Sequence, residues 1–361
     1  MSFVPKQISS LSFPGTMDSA WANVSDSNGS SCEVHSNQRA AQTIFTVYYF
    51  IVFIIGSCGN ILALHLTFKR GKKVNSTDIY LINLAVSDAL FTLALPGRIT
   101  YYILNFHWPF GDSLCRITAF IFYTNTYVGI YFMTCVSVDR YIAVVHALRF
   151  SKLRKTCCVK YICLLGWCIV VLQTMPLLFR PMTKENKNTV TCMEYFNFED
   201  VNHLPVLLLL ACIFGYGTPF GIILFCYMCI SMRLCKAAKN NPIADKNGQY
   251  NRAFNVIMIV LIAIVLCFTP YHINIIQFMV RSLIRQQTCL DNKAFKMSLQ
   301  ITVAFMNMNC CVDPIIYFFA FKGYKRRILG LFKMYVSGPS VTYSENQSTS
   351  QNQGGTVLVE L

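Results

Sequence analysis

A few ionisable side chains interrupt long apolar stretches of this sequence. Asp88, Arg98 and Asp313 each lie within such a stretch, and Asp139 and Arg140 stand together near the end of another. Two carboxylates could serve a protease that works inside a membrane, and buried polar groups could mark the ion pathway of a transporter. The sequence has no His-Glu-x-x-His pattern of a zinc protease. The elements that carry these side chains therefore decide what chemistry they do.

The composition places most of the chain in a membrane. Of its 361 residues, 54% are hydrophobic and 13% are charged, whereas soluble domains carry about 25% charged residues. The apolar runs exceed the roughly 18 residues that indicate a membrane helix. Because a backbone in lipid must satisfy its own hydrogen bonds, runs of this length predict an all-α membrane protein, a seven-transmembrane helix bundle. The seven spans are predicted at residues 43–68, 79–102, 114–145, 161–179, 204–232, 253–280 and 297–321.

Basic residues predict the orientation of the bundle. Of the 31 Lys and Arg residues, 19 follow spans one, three, five and seven, and a twentieth, Arg140, lies near the end of span three. Such residues are enriched in cytoplasmic loops. We therefore expect a multi-pass protein of the plasma membrane with its N-terminus outside. The net charge of +15 then reflects topology and attraction to membrane lipid, and we expect no nucleic-acid partner.

Four regions follow from these patterns. The outer tail carries two glycosylation sequons, at Asn23 and Asn28, and either Met1 or Met17 could be the start. Basic and apolar residues alternate at helical spacing after span seven, which predicts a short cytoplasmic amphipathic helix on the membrane surface. The regions are an extracellular tail at 1–42, a seven-transmembrane domain at 43–320, the amphipathic helix at 321–336 and a disordered cytoplasmic tail at 337–361.

Four of the 17 cysteines lie in the predicted outer segments or at the outer end of a span and could form disulfides. Four cysteines allow three connectivities. Membrane geometry favours a bond between Cys115, at the outer end of span three, and Cys192, in the second outer loop. Cys32 in the tail would then pair with Cys289 in the third outer loop.

Each span carries a short motif, and the order of the seven motifs is informative. The sequence resembles the rhodopsin-like (class A) G-protein-coupled receptors over residues 43–335. No internal repeat of the kind found in transporters is visible. The motifs are Gly59-Asn60, Asn83-Leu84-Ala85-Val86-Ser87-Asp88, Asp139-Arg140-Tyr141, Trp167, Pro219 with Tyr227, Cys267-Phe268-Thr269-Pro270, and Asp313-Pro314-Ile315-Ile316-Tyr317.

This resemblance implies a receptor and not an enzyme, with no catalytic residues. It implies an agonist site in the outer half, partnership with a heterotrimeric G protein, and arrestin recruitment by the phosphorylated tail. The cytoplasmic site would open when span six swings outward about the proline kinks. Asp139 would hold Arg140 at rest, although the inner end of span six lacks the acid that many relatives place there. The implied activation residues are Asp139, Arg140, Tyr141, Pro219, Tyr227, Phe268, Pro270, Asp313, Pro314 and Tyr317.

Further segments, such as Thr191-Cys192-Met193-Glu194-Tyr195, resemble the oxysterol receptors of this class, which direct lymphocyte migration through inhibitory G proteins. A rigid sterol offers a large apolar body and a few hydroxyls, which suit an apolar site with isolated donors. Receptors for another lipid or for a chemokine-like peptide remain alternatives. The resemblance implies that a hydroxylated sterol is bound by Arg98, Tyr123, Tyr127 and Tyr271.

Asp88 matches the sodium ligand of the class. The resemblance implies an oxygen-rich cage completed by Asn60, Asn125, Asn309 and Asp313, with Asp313 in place of the usual Asn. Two buried carboxylates repel each other, so either a sodium ion or a shared proton would have to lie between them. Both readings stay open at this point.

Overall fold

A computed structural model describes the bundle and most of its connections. The predicted sequons, the tail beyond residue 336, Cys32, and hence the Cys32–Cys289 pairing all lie outside the described residues. The described residues are 38–69, 74–146, 149–186, 189–193, 204–240, 249–284, 288–320, 324–326 and 328–330.

Seven helices in the described part of the chain are long and apolar enough to cross a membrane, which confirms the predicted all-α fold. They extend beyond most of the predicted apolar runs because polar residues continue and cap their ends. Span two, for example, begins at Ser76 because the Asn75 side chain accepts the Asp78 N–H and Asp78 in turn accepts the Asn75 N–H. The spans are Arg39–Phe68, Ser76–Ile103, Gly111–Val145, Thr156–Leu178, Pro205–Lys236, Phe254–Ile284 and Ala294–Phe319.

Several spans consist of more than one helical element. Spans one to three are single α-helices, whereas spans five and six each contain a π-helical segment. Span seven is interrupted at Met308. The α-helices are α1 Gln38–Phe68, α2 Ser76–Ile103, α3 Gly111–Val145, α4 Thr156–Thr174, α5 Leu204–Cys212, α6 Thr218–Asn240, α7 Gln249–Ala263, α8 Thr269–Ile284, α9 Cys289–Asn307 and α10 Asn309–Ala320. The 3₁₀-helices are Ser151–Arg154 and Met175–Leu178, and the π-helices are Ile213–Gly217 and Ile264–Phe268.

A small hairpin, which the sequence analysis missed, lies between spans four and five. Its strands, β1 Thr183–Asn186 and β2 Thr189–Cys192, pair antiparallel. Cys192 is bonded to Cys115 with a Cα–Cα distance of 5.8 Å, which confirms that disulfide. The Asp112 carboxylate accepts the Met182 N–H at 2.8 Å. The hairpin is thus fixed to the first turn of α3, and we call this half of the bundle the disulfide end.

The two prolines that were predicted to kink spans five and six each follow a π-helical segment and a threonine. In span six, the Thr269 N–H bonds the Ile264 carbonyl across the wider π turn, and the Thr269 hydroxyl donates to the same oxygen at 3.2 Å. Thr218 makes the same two bonds to Ile213 in span five. At each step, the threonine thus supplies two donors to a carbonyl oxygen in the helix before the proline. This helps to satisfy the backbone where the proline has no N–H to donate in an apolar setting.

Spans one and seven approach closely through a glycine. A Cβ placed on Gly59 would lie 2.4 Å from Cγ of Pro314, closer than side chains ever approach. Beside this contact, the Asn60 side chain donates to the Cys310 carbonyl and accepts the Tyr317 hydroxyl. The Gly59-Asn60 and Asp313-to-Tyr317 motifs therefore form a single interface.

We predict that Gly59→Ala destabilises the receptor by about 1–3 kcal/mol, because the rigid Pro314 ring cannot rotate away from the added methyl group. Gly221→Ala is the matched control, since a Cβ there meets no atom within 4 Å. Melting temperatures of the two purified variants test this, with a fall expected for Gly59→Ala alone. Equal melting temperatures would contradict the proposed contact.

Candidate functional site

Arg98 is buried at the disulfide end, with 4% of its surface exposed. Its Nη1 donates to the Cys192 carbonyl at 3.1 Å. The guanidinium carbon lies 4.9 Å and 5.1 Å from the ring centroids of Tyr101 and Tyr102, which are cation–π distances. Arg98 therefore ties span two to the hairpin, a role that the sequence analysis did not anticipate.

The three predicted ligand-binding tyrosines belong to one aromatic cluster between spans three and six. The Tyr123 and Tyr271 ring centroids are 6.4 Å apart, and Tyr123 lies within electrostatic range of Arg98. Tyr127 contacts His272, with 6.2 Å between the two ring centroids, and His272 in turn contacts Tyr271. The structure thus brings together all four side chains that were assigned to a ligand from the sequence.

His272 is a further member of this cluster, and the sequence analysis assigned it no role. Its imidazole is fully buried, stacks on Tyr216 of span five at 4.2 Å, and makes an edge contact with Tyr271 at 5.1 Å. The only signal in the sequence is a histidine within an apolar span directly after a predicted ligand residue. We call His272, Tyr127, Tyr216 and Tyr271 the aromatic cage.

Spans five and six are joined just beneath the aromatic cage. The Tyr216 hydroxyl lies 2.6 Å from the Thr269 hydroxyl oxygen. Because Thr269 donates to the Ile264 carbonyl, Tyr216 must donate to Thr269. Phe268, which precedes Thr269, is fully buried and packs opposite Gly129, where an added Cβ would lie 3.7 Å from its ring.

Asp88 and Asp313 are both fully buried in the middle of the bundle. Asn309 Nδ2 donates to Asp313 Oδ2 at 2.9 Å. Four oxygen atoms in this group have no hydrogen-bond partner among the described residues, namely both carboxylate oxygens of Asp88, Oδ1 of Asp313 and Oδ1 of Asn309. Buried oxygens without donors are the ligands that a hard cation takes.

The other two predicted members of this cage use their amide oxygens elsewhere. Asn125 Oδ1 accepts the Ser87 hydroxyl at 2.6 Å, and Asn60 Oδ1 accepts the Tyr317 hydroxyl at 3.0 Å. Among the described residues, those of this group with unpartnered oxygens are therefore Asp88, Asn309 and Asp313.

At the opposite end of the bundle, the Asp139 carboxylate is bound by neighbouring elements. It accepts the hydroxyls of Ser76, at 2.6 Å, and Thr77 from span two. Arg154, in the 3₁₀-helix after span three, donates to it from Nε at 2.9 Å. The expected restraint of the adjacent Arg140 by Asp139 stays a prediction. These three bonds connect span three to span two and to the following loop.

Tyr227 and Tyr317, two of the implied activation residues, contact different spans in this conformation. Tyr227 packs 6.0 Å from the Phe254 ring, whereas Tyr317 is bonded to Asn60 in span one. Beyond span seven, residues 324–326 and 328–330 are helical. Tyr324 in this segment packs 6.3 Å from the Tyr317 ring, and burial raises the pKa of its phenol.

Seven apolar helices, a disulfide that fixes the loop between spans four and five, and polar clusters along the bundle axis are typical of a seven-transmembrane receptor. The family model described as "7 transmembrane receptor (rhodopsin family)" matches residues 59–317. The chain belongs to this family.

Among curated relatives, human G-protein coupled receptor 183 is 48% identical over 311 residues, which cover 86% of each chain. Zebrafish G-protein coupled receptor 183-A is 46% identical over 323 residues, covering 89% of this chain and 88% of the relative. The human uracil nucleotide/cysteinyl leukotriene receptor is 32% identical over 288 residues, covering 80% of this chain and 76% of that receptor.

We predict that Thr269→Val destabilises the receptor by about 1–3 kcal/mol, because it removes the bond to Ile264 and leaves the Tyr216 hydroxyl buried without an acceptor. Thr218→Val, the matched control, removes the equivalent hydroxyl bond to Ile213 and should cost about 0.5–1.5 kcal/mol. Melting temperatures of both variants check this. If Thr218→Val proves as harmful as Thr269→Val, the bond between spans five and six contributes nothing.

Proposed function

We propose that this protein is a plasma-membrane receptor for an extracellular hydroxylated sterol and that it signals through inhibitory heterotrimeric G proteins and arrestin. The single observation that carries the ligand class is the aromatic cluster of Tyr123, Tyr127 and Tyr271 beside the buried Arg98. Such a site offers apolar faces to a rigid ring system and a few polar groups to its hydroxyls.

The polar groups of this site suit a neutral ligand with sparse hydroxyls. The buried Arg98 guanidinium is a charged hydrogen-bond donor. The tyrosine hydroxyls both donate and accept. The sequence resemblance to oxysterol receptors and the 48% identity to G-protein coupled receptor 183 support the same ligand class.

The orientation and downstream partners follow from the basic residues and from membership of the family. The N-terminus and the disulfide end are extracellular in this proposal, and the Asp139 end faces the cytoplasm, where the G protein and arrestin bind. A cellular role in directing immune-cell migration rests on the resemblance alone. The protein acts as a receptor and has no enzymatic activity in this account.

Another lipid is the alternative ligand. The relative named for uracil nucleotides and cysteinyl leukotrienes is 32% identical, and such ligands are anionic. An anion would bind to the Arg98 guanidinium as an ion pair, whereas a sterol would bind through a hydroxyl. Competition between the two ligand classes at the purified receptor distinguishes these cases.

A sodium ion between Asp88 and Asp313 is proposed as a second, allosteric ligand. Four buried oxygens without donors, on Asp88, Asp313 and Asn309, support a cation more strongly than a shared proton. A proton shared between the two carboxyl groups would engage one oxygen of each and would leave the second Asp88 oxygen and Asn309 Oδ1 without a donor.

We predict that Arg98→Ala weakens binding of a dihydroxylated sterol by about 10-fold to 150-fold. A hydrogen bond from a charged donor contributes about 1.5–3 kcal/mol, and 1.4 kcal/mol corresponds to a factor of ten. Binding of the same sterol without the contacted hydroxyl should be weak already and should change little. This matched sterol separates the lost ligand contact from the lost bond to Cys192.

Radioligand binding to the purified receptor measures this effect, and surface expression of each variant in cells is verified first. If a well-expressed Arg98→Ala variant binds the dihydroxylated sterol as tightly as the unmutated receptor does, Arg98 does not hydrogen-bond the ligand.

We predict that sodium weakens agonist binding and that Asp88→Asn abolishes this sensitivity, because the variant removes one of the two charges that hold the cation. Agonist affinity is measured in sodium and in an equal concentration of a large organic cation, which keeps the ionic strength constant. Affinity that does not depend on sodium in the unmutated receptor would favour the shared proton.

A further inference from the structure

The buried imidazole of His272 has a defined tautomer. Its Nδ1 lies 2.8 Å from the carbonyl oxygen of Phe268. A carbonyl oxygen only accepts, so Nδ1 must carry the hydrogen and donate. The neutral ring then presents Nε2 as a lone pair that can only accept a hydrogen bond.

This acceptor has no partner among the described residues. Nε2 of His272 is buried and unbonded, and the residue is fully buried. The hydroxyl of Tyr216, which stacks on His272, does not supply a donor, because it gives its proton to Thr269. Tyr127 presents its ring edgewise, at 6.2 Å between centroids. A buried acceptor without a donor is unfavourable, so the arrangement calls for a donor that comes from outside the chain.

We infer that His272 is a specificity-determining residue whose Nε2 accepts a hydrogen bond from a hydroxyl of the ligand. The inference deepens the proposed function and rests on it, since His272 contacts Tyr271 and Tyr127 within the aromatic cage. Arg98 can only donate, and Nε2 of His272 can only accept. A ligand hydroxyl can accept from Arg98 or donate to His272, whereas a ketone can only accept.

The chemical consequence is selectivity for an alcohol over a carbonyl at one position of the ligand. An oxidised sterol of the same shape would accept from Arg98 but would place an oxygen lone pair against the lone pair of Nε2. The stacked face of His272 on Tyr216 at 4.2 Å fixes the ring, so rotation of the imidazole cannot remove this conflict without loss of the stack.

The test uses a dihydroxylated sterol and the two ketones made by oxidising each hydroxyl in turn. At the unmutated receptor, one ketone should bind about 5-fold to 10-fold more weakly than the alcohol, as expected for one neutral hydrogen bond. In His272→Phe, which keeps an aromatic face on Tyr216, that ratio should fall to about one. His272→Gln, whose amide oxygen can accept, should restore part of it, which a purely structural role would not do.

Gly221→Ala is the control, because an added Cβ there meets no atom within 4 Å, so the alcohol-to-ketone ratio should stay at the parental value. A parental ratio in His272→Phe, with both sterols still bound, would overturn the role of His272 and leave the sterol proposal intact. Failure of every sterol to bind the unmutated receptor would instead overturn the proposed function and this inference with it.

If His272→Phe does not fold, the unmutated receptor provides a second measurement. In protein labelled with ¹⁵N-histidine, the unprotonated Nε2 signal of His272 should shift when the alcohol binds and should stay in place with the disfavoured ketone. The signal is assigned by its loss in His272→Gln. An Nε2 signal that does not respond to the bound alcohol would overturn the inference.

Discussion

Every backbone polar group inside a bilayer has to find its partner within the protein, because hydrocarbon supplies none. This constraint accounts for the helices, and it also explains where they deviate from the α form. At the two Thr-Pro steps the chain widens into a π turn, and Thr218 and Thr269 bond the carbonyls of Ile213 and Ile264. The candidate ligand site lies beside these steps.

The step in span six connects the site to the rest of the bundle. Thr269 accepts the Tyr216 hydroxyl from span five, and His272 stacks on the same tyrosine less than one turn further on. A ligand that contacts Tyr271 and His272 therefore lies next to the contacts that join spans five and six. Binding shifts the receptor between conformations only to the extent that these contacts differ between them. The bond between Tyr216 and Thr269 is a contact that movement of span six would alter.

The spans and the Cys115–Cys192 disulfide could be predicted from the sequence, because apolar length and loop position are local properties. The partners of the polar side chains could not. Asp139 binds Arg154 and the hydroxyls of span two, and Arg98 binds the carbonyl of Cys192. These partners lie in other elements, so their positions depend on the folded arrangement of the chain. The hairpin was missed because its four-residue strands carry no clear alternation, and His272 was missed because its role depends on the unpaired state of one nitrogen.

The most direct test of this account is guanine-nucleotide exchange on a purified inhibitory G protein, with the receptor in lipid nanodiscs. We expect a dihydroxylated sterol to accelerate exchange in a saturable manner, whereas the parent sterol without the added hydroxyls should leave the rate at the ligand-free level. Equal rates with both sterols, or exchange that responds only to an anionic lipid, would contradict the claim that this receptor senses sterol hydroxyls.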